Sequence, residues 1–103
     1  MIDAIERALR ALEEMIRIVE RRDYEQFLDH VSPRIRDRVD TASFQKAIDR
    51  HERTPLSVEM IDKDLSRVVS EDPLMVKLMI QEGWSLTTFI YNGEKWVADT
   101  IFW

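Results

Sequence analysis

Residues 84–103 read WSLTTFIYNGEKWVADTIFW, two strand-like runs on either side of Asn92-Gly93. Asn and Gly both tolerate the positive φ angles of a type I′ turn, so this stretch predicts a β-hairpin with a two-residue turn. In that register Phe89 faces Trp96 across the two strands. A three-residue loop is the alternative, and it would change which side chains share a face with Trp96.

A further strand is predicted at residues 74–81, joined to the hairpin through Glu82-Gly83. Both faces of the resulting meander are apolar, whereas an ordinary antiparallel sheet has one apolar face and one polar face. We expect the face without a charge near its centre to receive the helices, and the other face to form a homodimer interface. The predicted interface residues are Met75, Met79, Trp84, Leu86, Ile90, Val97, Ile101 and Trp103.

The composition predicts one globular domain over residues 1–103. Hydrophobic residues make up 45% of the chain and charged residues 34%, which is typical of a folded domain rather than a disordered one. The net charge of −5 disfavours a nucleic-acid partner. The absence of cysteine excludes disulfides and thiolate metal sites. We find neither a signal peptide nor an apolar run that spans a bilayer, and therefore expect a cytoplasmic protein with no membrane partner, although an excised domain would look the same.

Residues 2–21 predict the longest helix. Apolar side chains recur there at alternating spacings of three and four, which places them on one side of a helix. Glu6 and Arg10 are spaced for an i,i+4 ion pair on its polar side. A helix that lies on a sheet fits this length better than a coiled coil.

Shorter helices are predicted after it. Asp23 is a predicted N-cap, and Ser32-Pro33 predicts a second helix start with proline in the first turn. Thr41 or Ser43 is predicted to cap a third helix, which ends at Thr54-Pro55.

From residue 56 the apolar period changes to two. Residues 56–70 predict one long bent strand or two short strands broken at residues 62–64, where a bulge would curve the sheet. Glu71-Asp72-Pro73 predicts the turn into the meander. The predicted fold is therefore α+β, with three N-terminal helices packed on one face of a curved antiparallel sheet.

This layout resembles the NTF2-like superfamily, which has a cystatin-like α+β fold. The resemblance covers essentially the whole chain and rests on the long first helix, Asp23-Tyr24, Ser32-Pro33 and the closing ribbon with Asn92-Gly93-x-x-Trp96. It implies a sheet wrapped around a helix, a conical cavity and a homodimer formed through the sheet. Members include ketosteroid-isomerase-like and SnoaL-like enzymes and non-catalytic modules. This chain is shorter than most members and lacks the hairpin that often separates the second and third helices.

Asp99 is the leading catalytic candidate, because it is a lone carboxylate between Val97 and Ile101. A carboxylate in such surroundings can serve as a general acid or base. The resemblance implies a carboxylate that projects into the cavity, as in ketosteroid-isomerase-like enzymes, but the predicted register places Asp99 on the dimer face. The structural alternative is an interface carboxylate paired with Lys77 or with an arginine of a second copy.

His51 is the second catalytic candidate, as a proton shuttle at a cavity mouth; the alternative is a half-buried structural histidine near a helix end. No metal is predicted, because the two histidines lack a ligand-like spacing. No cofactor is predicted, because both glycines lie in turns. Polar groups on the helix-facing side of the sheet predict a pocket for a small apolar molecule. The predicted pocket residues are Ser85, Thr87, Tyr91, Trp96 and Thr100.

Three functions are compatible with these patterns. The first is a non-catalytic NTF2-like module that forms a homodimer through its sheet and binds a small apolar ligand in a shallow cavity. The second is a small-molecule isomerase, dehydratase or cyclase that uses Asp99. The third is a structural domain or a designed scaffold. We favour the first because the chain has few convergent polar groups and a sheet that is apolar on both faces.

Overall fold

The structure is a computed structural model that describes residues 2–100, with side chains from Ala4 onward. The helices are α1 (Ile2–Glu20), α2 (Tyr24–Asp29), α3 (Pro33–Arg36) and α4 (Thr41–Arg53), and a 3₁₀ turn spans Val58–Met60. The strands are β1 (Asp62–Glu71), β2 (Leu74–Gln81), β3 (Trp84–Tyr91) and β4 (Trp96–Ala98). They form one antiparallel sheet in the order β1-β2-β3-β4.

The predicted α+β class is confirmed: the N-terminal helices pack against one face of an antiparallel sheet. The sheet is open and not strongly curled, so it lacks the pronounced curvature that we expected. The core lies between α1 and the sheet. Leu12 of α1 and Val76, Leu78 and Phe89 of the sheet are each 0% exposed. Each such side chain contributes about 1.5–3 kcal/mol through its burial.

The end of α1 turns the chain directly into α2. Arg22 has a φ of 59°. The Arg22 N–H donates to the Val19 carbonyl, and the Asp23 N–H donates to the Ile18 carbonyl. This is the left-handed cap that most often uses glycine. The Asp23 side chain then accepts from the N–H of Gln26 at 3.2 Å, which confirms its predicted capping role.

The start of α3 follows the predicted pattern with one difference. Pro33 occupies the first turn as expected, but the Ser32 side chain makes no cap hydrogen bond. Its hydroxyl donates instead to the carboxylate of Asp99 at 2.8 Å. The Ser32 hydroxyl, which the local sequence predicts to cap α3, therefore connects the start of α3 to the residue that follows β4.

β1 begins later than predicted, because the first residues of the expected strand form the 3₁₀ turn. The predicted bulge is present as an irregular register between Asp62 and Arg67. The Ser66 hydroxyl donates to the Asp62 carbonyl at 2.8 Å and accepts from the N–H of Met79 at 3.0 Å. A side chain thus replaces a backbone acceptor at the irregular part of the ladder.

The β3–β4 connection differs from the predicted two-residue turn. Tyr91, rather than Phe89, lies opposite Trp96, so the connection has four residues, 92–95. The Asn92 side chain accepts from the N–H groups of Glu94 and Lys95, each at 2.9 Å, which stabilises the longer loop. Compared with the predicted pairing, Trp96 lies opposite a residue two positions further along β3. Since side chains alternate with a period of two, the predicted faces of β4 and of residues 87–91 are preserved. Earlier in β3, an irregular register with β2 reverses the predicted faces of Ser85 and Leu86.

β4 pairs on both sides. One side binds β3, and the other binds the segment between α2 and α3 through a parallel bridge from Val31 to Ala98. The Ala98 N–H donates to the His30 carbonyl at 2.9 Å, and the Ser32 N–H donates to the Ala98 carbonyl at 2.8 Å. The helical half and the sheet are therefore joined by backbone hydrogen bonds as well as by side-chain packing.

The N-cap of α4 is Asp40, so the predicted caps Thr41 and Ser43 were wrong; α4 ends as predicted, with Thr54 as its C-cap. The Asp40 carboxylate accepts from the N–H and from the hydroxyl of Ser43, each at 2.8 Å. These two donors hold the pKa of Asp40 below its usual value, and the backbone N–H of Ser43 has the larger effect.

We expect Asp40→Asn to reduce the loss of stability in acid. The folded pKa of Asp40 is lowered, so its stabilisation is complete above the pKa of the unfolded chain and disappears as the pH falls through the lower folded value. Asparagine caps equally well and does not titrate. Urea unfolding between about pH 6 and pH 2 measures the effect. Asp37→Asn is the control, since Asp37 makes no side-chain cap; an equal effect of both substitutions would contradict the assignment.

Candidate functional site

Asp99 is held by side chains of its own chain. One carboxylate oxygen accepts from the Ser32 hydroxyl at 2.8 Å, and the other lies 3.1 Å from the guanidinium of Arg34. Arg34 also donates to the backbone carbonyl of Asp99 at 2.5 Å. The Asp99 N–H donates to the Thr88 carbonyl, and its side chain is 21% exposed. These contacts fasten α3 to the end of the sheet.

This geometry has a chemical consequence. The cation beside Asp99 is Arg34 of the same chain, whereas the sequence suggested Lys77 or a second copy. A carboxylate that already accepts from a hydroxyl and a guanidinium is positioned to stabilise the fold. A general acid–base role for Asp99 stays a prediction, and these contacts do not favour it.

His51 lies at the junction of α1 and α4 and is 6% exposed. Its Nδ1 accepts from the Leu56 N–H at 3.1 Å, and its Nε2 lies 3.2 Å from the carboxylate of Glu20. Because a backbone N–H donates to Nδ1, the ring carries its proton on Nε2 and donates it to Glu20. His51 borders a cleft of about 330 Å³. Its contacts connect the end of α4 to the end of α1.

The five predicted pocket residues do not converge on one cavity. Thr87 is 2% exposed and shares a 2.8 Å hydrogen bond with Thr100 beneath the helices. Tyr91 and Trp96 lie together, with ring centroids 5.4 Å apart, in a separate cleft beside α1. Ser85 borders a groove on the opposite side of the sheet.

The α1 cleft, as we call the space between α1 and the β3–β4 connection, has a volume of about 400 Å³. The Arg7 guanidinium carbon lies 4.8 Å from the centroid of the Tyr91 ring and 5.4 Å from that of the Trp96 ring. Arg10 lines the same cleft. Sequence reasoning missed both arginines because it paired Arg10 with Glu6. Their i,i+3 spacing on one side of α1 was the available signal.

The outer face, meaning the sheet face opposite the helices, carries part of the predicted dimer patch. Met75, Ile90 and Val97 are register neighbours across β2, β3 and β4. Val97 and Met79 are buried without belonging to the main core cluster, whereas Leu86 packs against that cluster. Ile101 and Trp103 lie outside the described residues.

Trp84 is the most exposed large hydrophobic side chain among the described residues, at 55%, and Val69 follows at 46%. Trp84 begins β3, and Val69 lies at an irregularity of β1. Both lie outside the core cluster. An exposed indole is unusual on an isolated domain and is typical of residues that contact partners.

Two cations lie opposite each other on the outer face. Arg67 and Lys77 are register partners of β1 and β2 and line a groove of about 510 Å³ with Met79, Glu82 and Ser85. Neither cation forms an ion pair with the described side chains, those of residues 4–100. Directly opposed like charges destabilise a sheet, so this pair would benefit from an acidic group supplied by another molecule.

Comparison of the chain with protein-family models, curated proteins and solved structures gives no significant match. In the described part of the chain, no helix has the length and apolarity of a membrane span. Among those same residues, no group of three or more His, Cys, Asp or Glu side chains could hold a metal ion.

We expect Asp99→Ala to lower the free energy of unfolding by about 1–3 kcal/mol, because it leaves the buried Ser32 hydroxyl without an acceptor. Asp99→Asn keeps an acceptor and loses only a half-exposed ion pair, so its loss should stay below about 1 kcal/mol. Urea unfolding followed by tryptophan fluorescence gives both values.

Asp37→Ala is the control, since it removes an exposed carboxylate of the adjoining helix end. A wild-type stability for Asp99→Ala, or equal losses for the alanine and asparagine variants, would contradict the structural role of Asp99.

Proposed function

We propose that this chain is a non-catalytic module that forms a homodimer through the outer face of its sheet. The observation that carries the proposal is the apolar row formed by Met75, Ile90 and Val97 on the face that the helices leave open. The solvent face of an antiparallel sheet is ordinarily polar. Val97 is already buried, whereas Met75 and Ile90 are half-buried. A second copy that covers this row would remove the remaining apolar surface of Met75 and Ile90 from water.

The size of the outer face is adequate for such an interface. The strands have 10, 8, 8 and 3 residues, and at about 3.3 Å per residue and about 4.8 Å between strands they cover roughly 460 Å² in projection. A stable interface buries about 800 Å² of accessible surface on each partner. Because side chains roughen the face, its accessible area exceeds the projection and approaches this value.

The charges on the outer face fit a two-fold arrangement. In a two-fold dimer the same patch meets itself, so each group faces a group of the same patch in the second copy. Arg67 and Lys77 share their groove with Glu82. Glu82 of the second copy is therefore a suitable counter-charge for the opposed cations, and it would relieve their repulsion.

The NTF2-like relationship is part of this proposal. The order of helices before a meander and the closing ribbon with Asn92-Gly93-x-x-Trp96 support it, and the resemblance implies dimerisation through the sheet. The open sheet favours a shallow ligand site over a deep cavity. The contacts of Asp99 with Ser32 and Arg34 favour a module over an enzyme.

We expect the chain to be a dimer at about 100 µM, a concentration at which even a micromolar interface is occupied. Ile90→Lys should convert it to a monomer, because it places a charge in the apolar row, and Trp84→Lys should weaken the dimer. Sedimentation equilibrium measures the mass, and circular dichroism verifies that each variant is folded.

Ala42→Lys is the matched control, since it adds the same charge at an exposed position of α4. It should leave the dimer intact. A monomeric wild-type chain, or a dimer that Ile90→Lys leaves unchanged, would show that the outer face is not the interface.

A further inference from the structure

The α1 cleft carries a second inference, which is independent of the dimer because the cleft lies on the helix side of the sheet. Its wall combines two aromatic rings, Tyr91 and Trp96, with polar side chains of both signs. The polar side chains are those of Arg7, Arg10, His30 and Lys95 and the carboxylates of Glu14 and Glu94. A volume of about 400 Å³ is suitable for a small molecule. The three cations Arg7, Arg10 and Lys95 outnumber the two carboxylates here, although the chain as a whole has a net charge of −5.

Arg7 is a half-buried cation that forms no ion pair with the side chains of residues 4–100. Its guanidinium lies over the rings of Tyr91 and Trp96. Stacking on aromatic rings holds the guanidinium in place and leaves its N–H donors available for a bidentate contact with an oxyanion. Arg7 is thus oriented before any ligand binds.

Arg10 does not form the ion pair with Glu6 that the sequence predicts, so its guanidinium is available to contact a ligand. Glu6 accepts from the ammonium of Lys63 at 2.9 Å instead of pairing with Arg10. Arg10 lies one helical turn from Arg7 on the same side of α1, so the two guanidiniums can approach one anion. The next two acidic residues along the helix are also paired, Glu13 with Arg17 and Glu14 with Arg21.

The other polar groups of the cleft are partly committed. Lys95 donates to the carboxylate of Asp29. His30 donates from Nδ1 to the Gln26 carbonyl at 2.8 Å, which leaves its Nε2 for other contacts. The indole N–H of Trp96 is buried and has no acceptor in the described structure. A buried donor without an acceptor is rare and marks a place where a further group completes the contacts.

We propose that the α1 cleft binds a small organic oxyanion, a carboxylate or a phosphate ester carried on a flat apolar group. Arg7 and Arg10 would bind the oxyanion, and the rings of Tyr91 and Trp96 would contact the flat group. This differs from the small apolar ligand that the sequence suggested, because the cleft presents, beside its aromatic wall, two guanidiniums that have no ion pair with the described side chains. The size of the cleft and the acidic net charge favour a small molecule over nucleic acid.

The test uses benzoate and phenyl phosphate, which carry the two oxyanions on the same ring. Each is titrated to about 20 mM into isotope-labelled protein while NMR follows the indole N–H signal of Trp96, a range that covers millimolar affinities. The Trp96→Phe variant assigns the signal. We expect a saturable shift, and the tighter ligand identifies the preferred oxyanion. Sodium chloride at the same ionic strength and benzyl alcohol, which has the ring without the charge, should give no saturable shift.

Arg10→Gln should weaken binding of the tighter ligand by about tenfold, as the loss of a charge-assisted contact predicts. Arg10 is exposed, so this change spares the core. Arg7→Gln should weaken binding by a similar factor. Arg17→Gln is the control, because Arg17 lies on the same helix and pairs with Glu13 outside the cleft. No saturable shift, a shift that sodium chloride or benzyl alcohol reproduces, or an equal loss with Arg17→Gln would overturn the proposal.

Discussion

The pairing of Ala98 with the segment between α2 and α3 is the constraint on which the rest of the structure depends. β4 has only three residues, and Ala98 directs both of its backbone polar groups away from β3, toward His30 and Ser32. Ala98 is fully buried, and buried backbone groups without partners are costly. The chain therefore forms its last strand only where the helical half supplies these partners. The contacts of Asp99 with Ser32 and Arg34 extend the same connection by one residue.

This connection also determines which surfaces of the sheet are open to association. The β4 edge is covered by the α2–α3 segment, so it offers no free ladder. The opposite edge, β1, carries the exposed charges of Lys63 and Asp64 and has an irregular register. Charges and bulges on an edge strand disfavour the addition of another strand. Association through the outer face is then more compatible with this sheet than edge-to-edge pairing.

The parts of the fold that depend on local pattern could be predicted, and those that depend on distant partners could not. The faces of β4 and of residues 87–91 were correct despite a wrong turn, because a shift of two residues preserves alternation. Those of Ser85 and Leu86 are reversed, because the ladder between β2 and β3 is irregular there. The cap of α4 was missed because Asp40 and two neighbouring residues are all good caps. The partner of Asp99 is 65 residues away, at Arg34, and Glu6 pairs with a lysine 57 residues away. No local pattern contains such pairs, which is why the roles of these side chains and the α1 cleft escaped sequence reasoning.

The distribution of unpaired cations connects the two proposed sites. Arg38 and Arg53 are exposed, and an exposed cation loses little by having no counter-ion. Arg7 and Lys77 are half-buried and form no ion pair with the side chains of residues 4–100. Each has therefore lost part of its hydration without gaining a carboxylate partner among these residues. Since acids outnumber bases in this chain, 20 to 15, the missing partners reflect geometry rather than a shortage of carboxylates. Arg7 lies on the helix side of the sheet and Lys77 on the outer face, so an anion in the α1 cleft and a second copy on the outer face can be accommodated together.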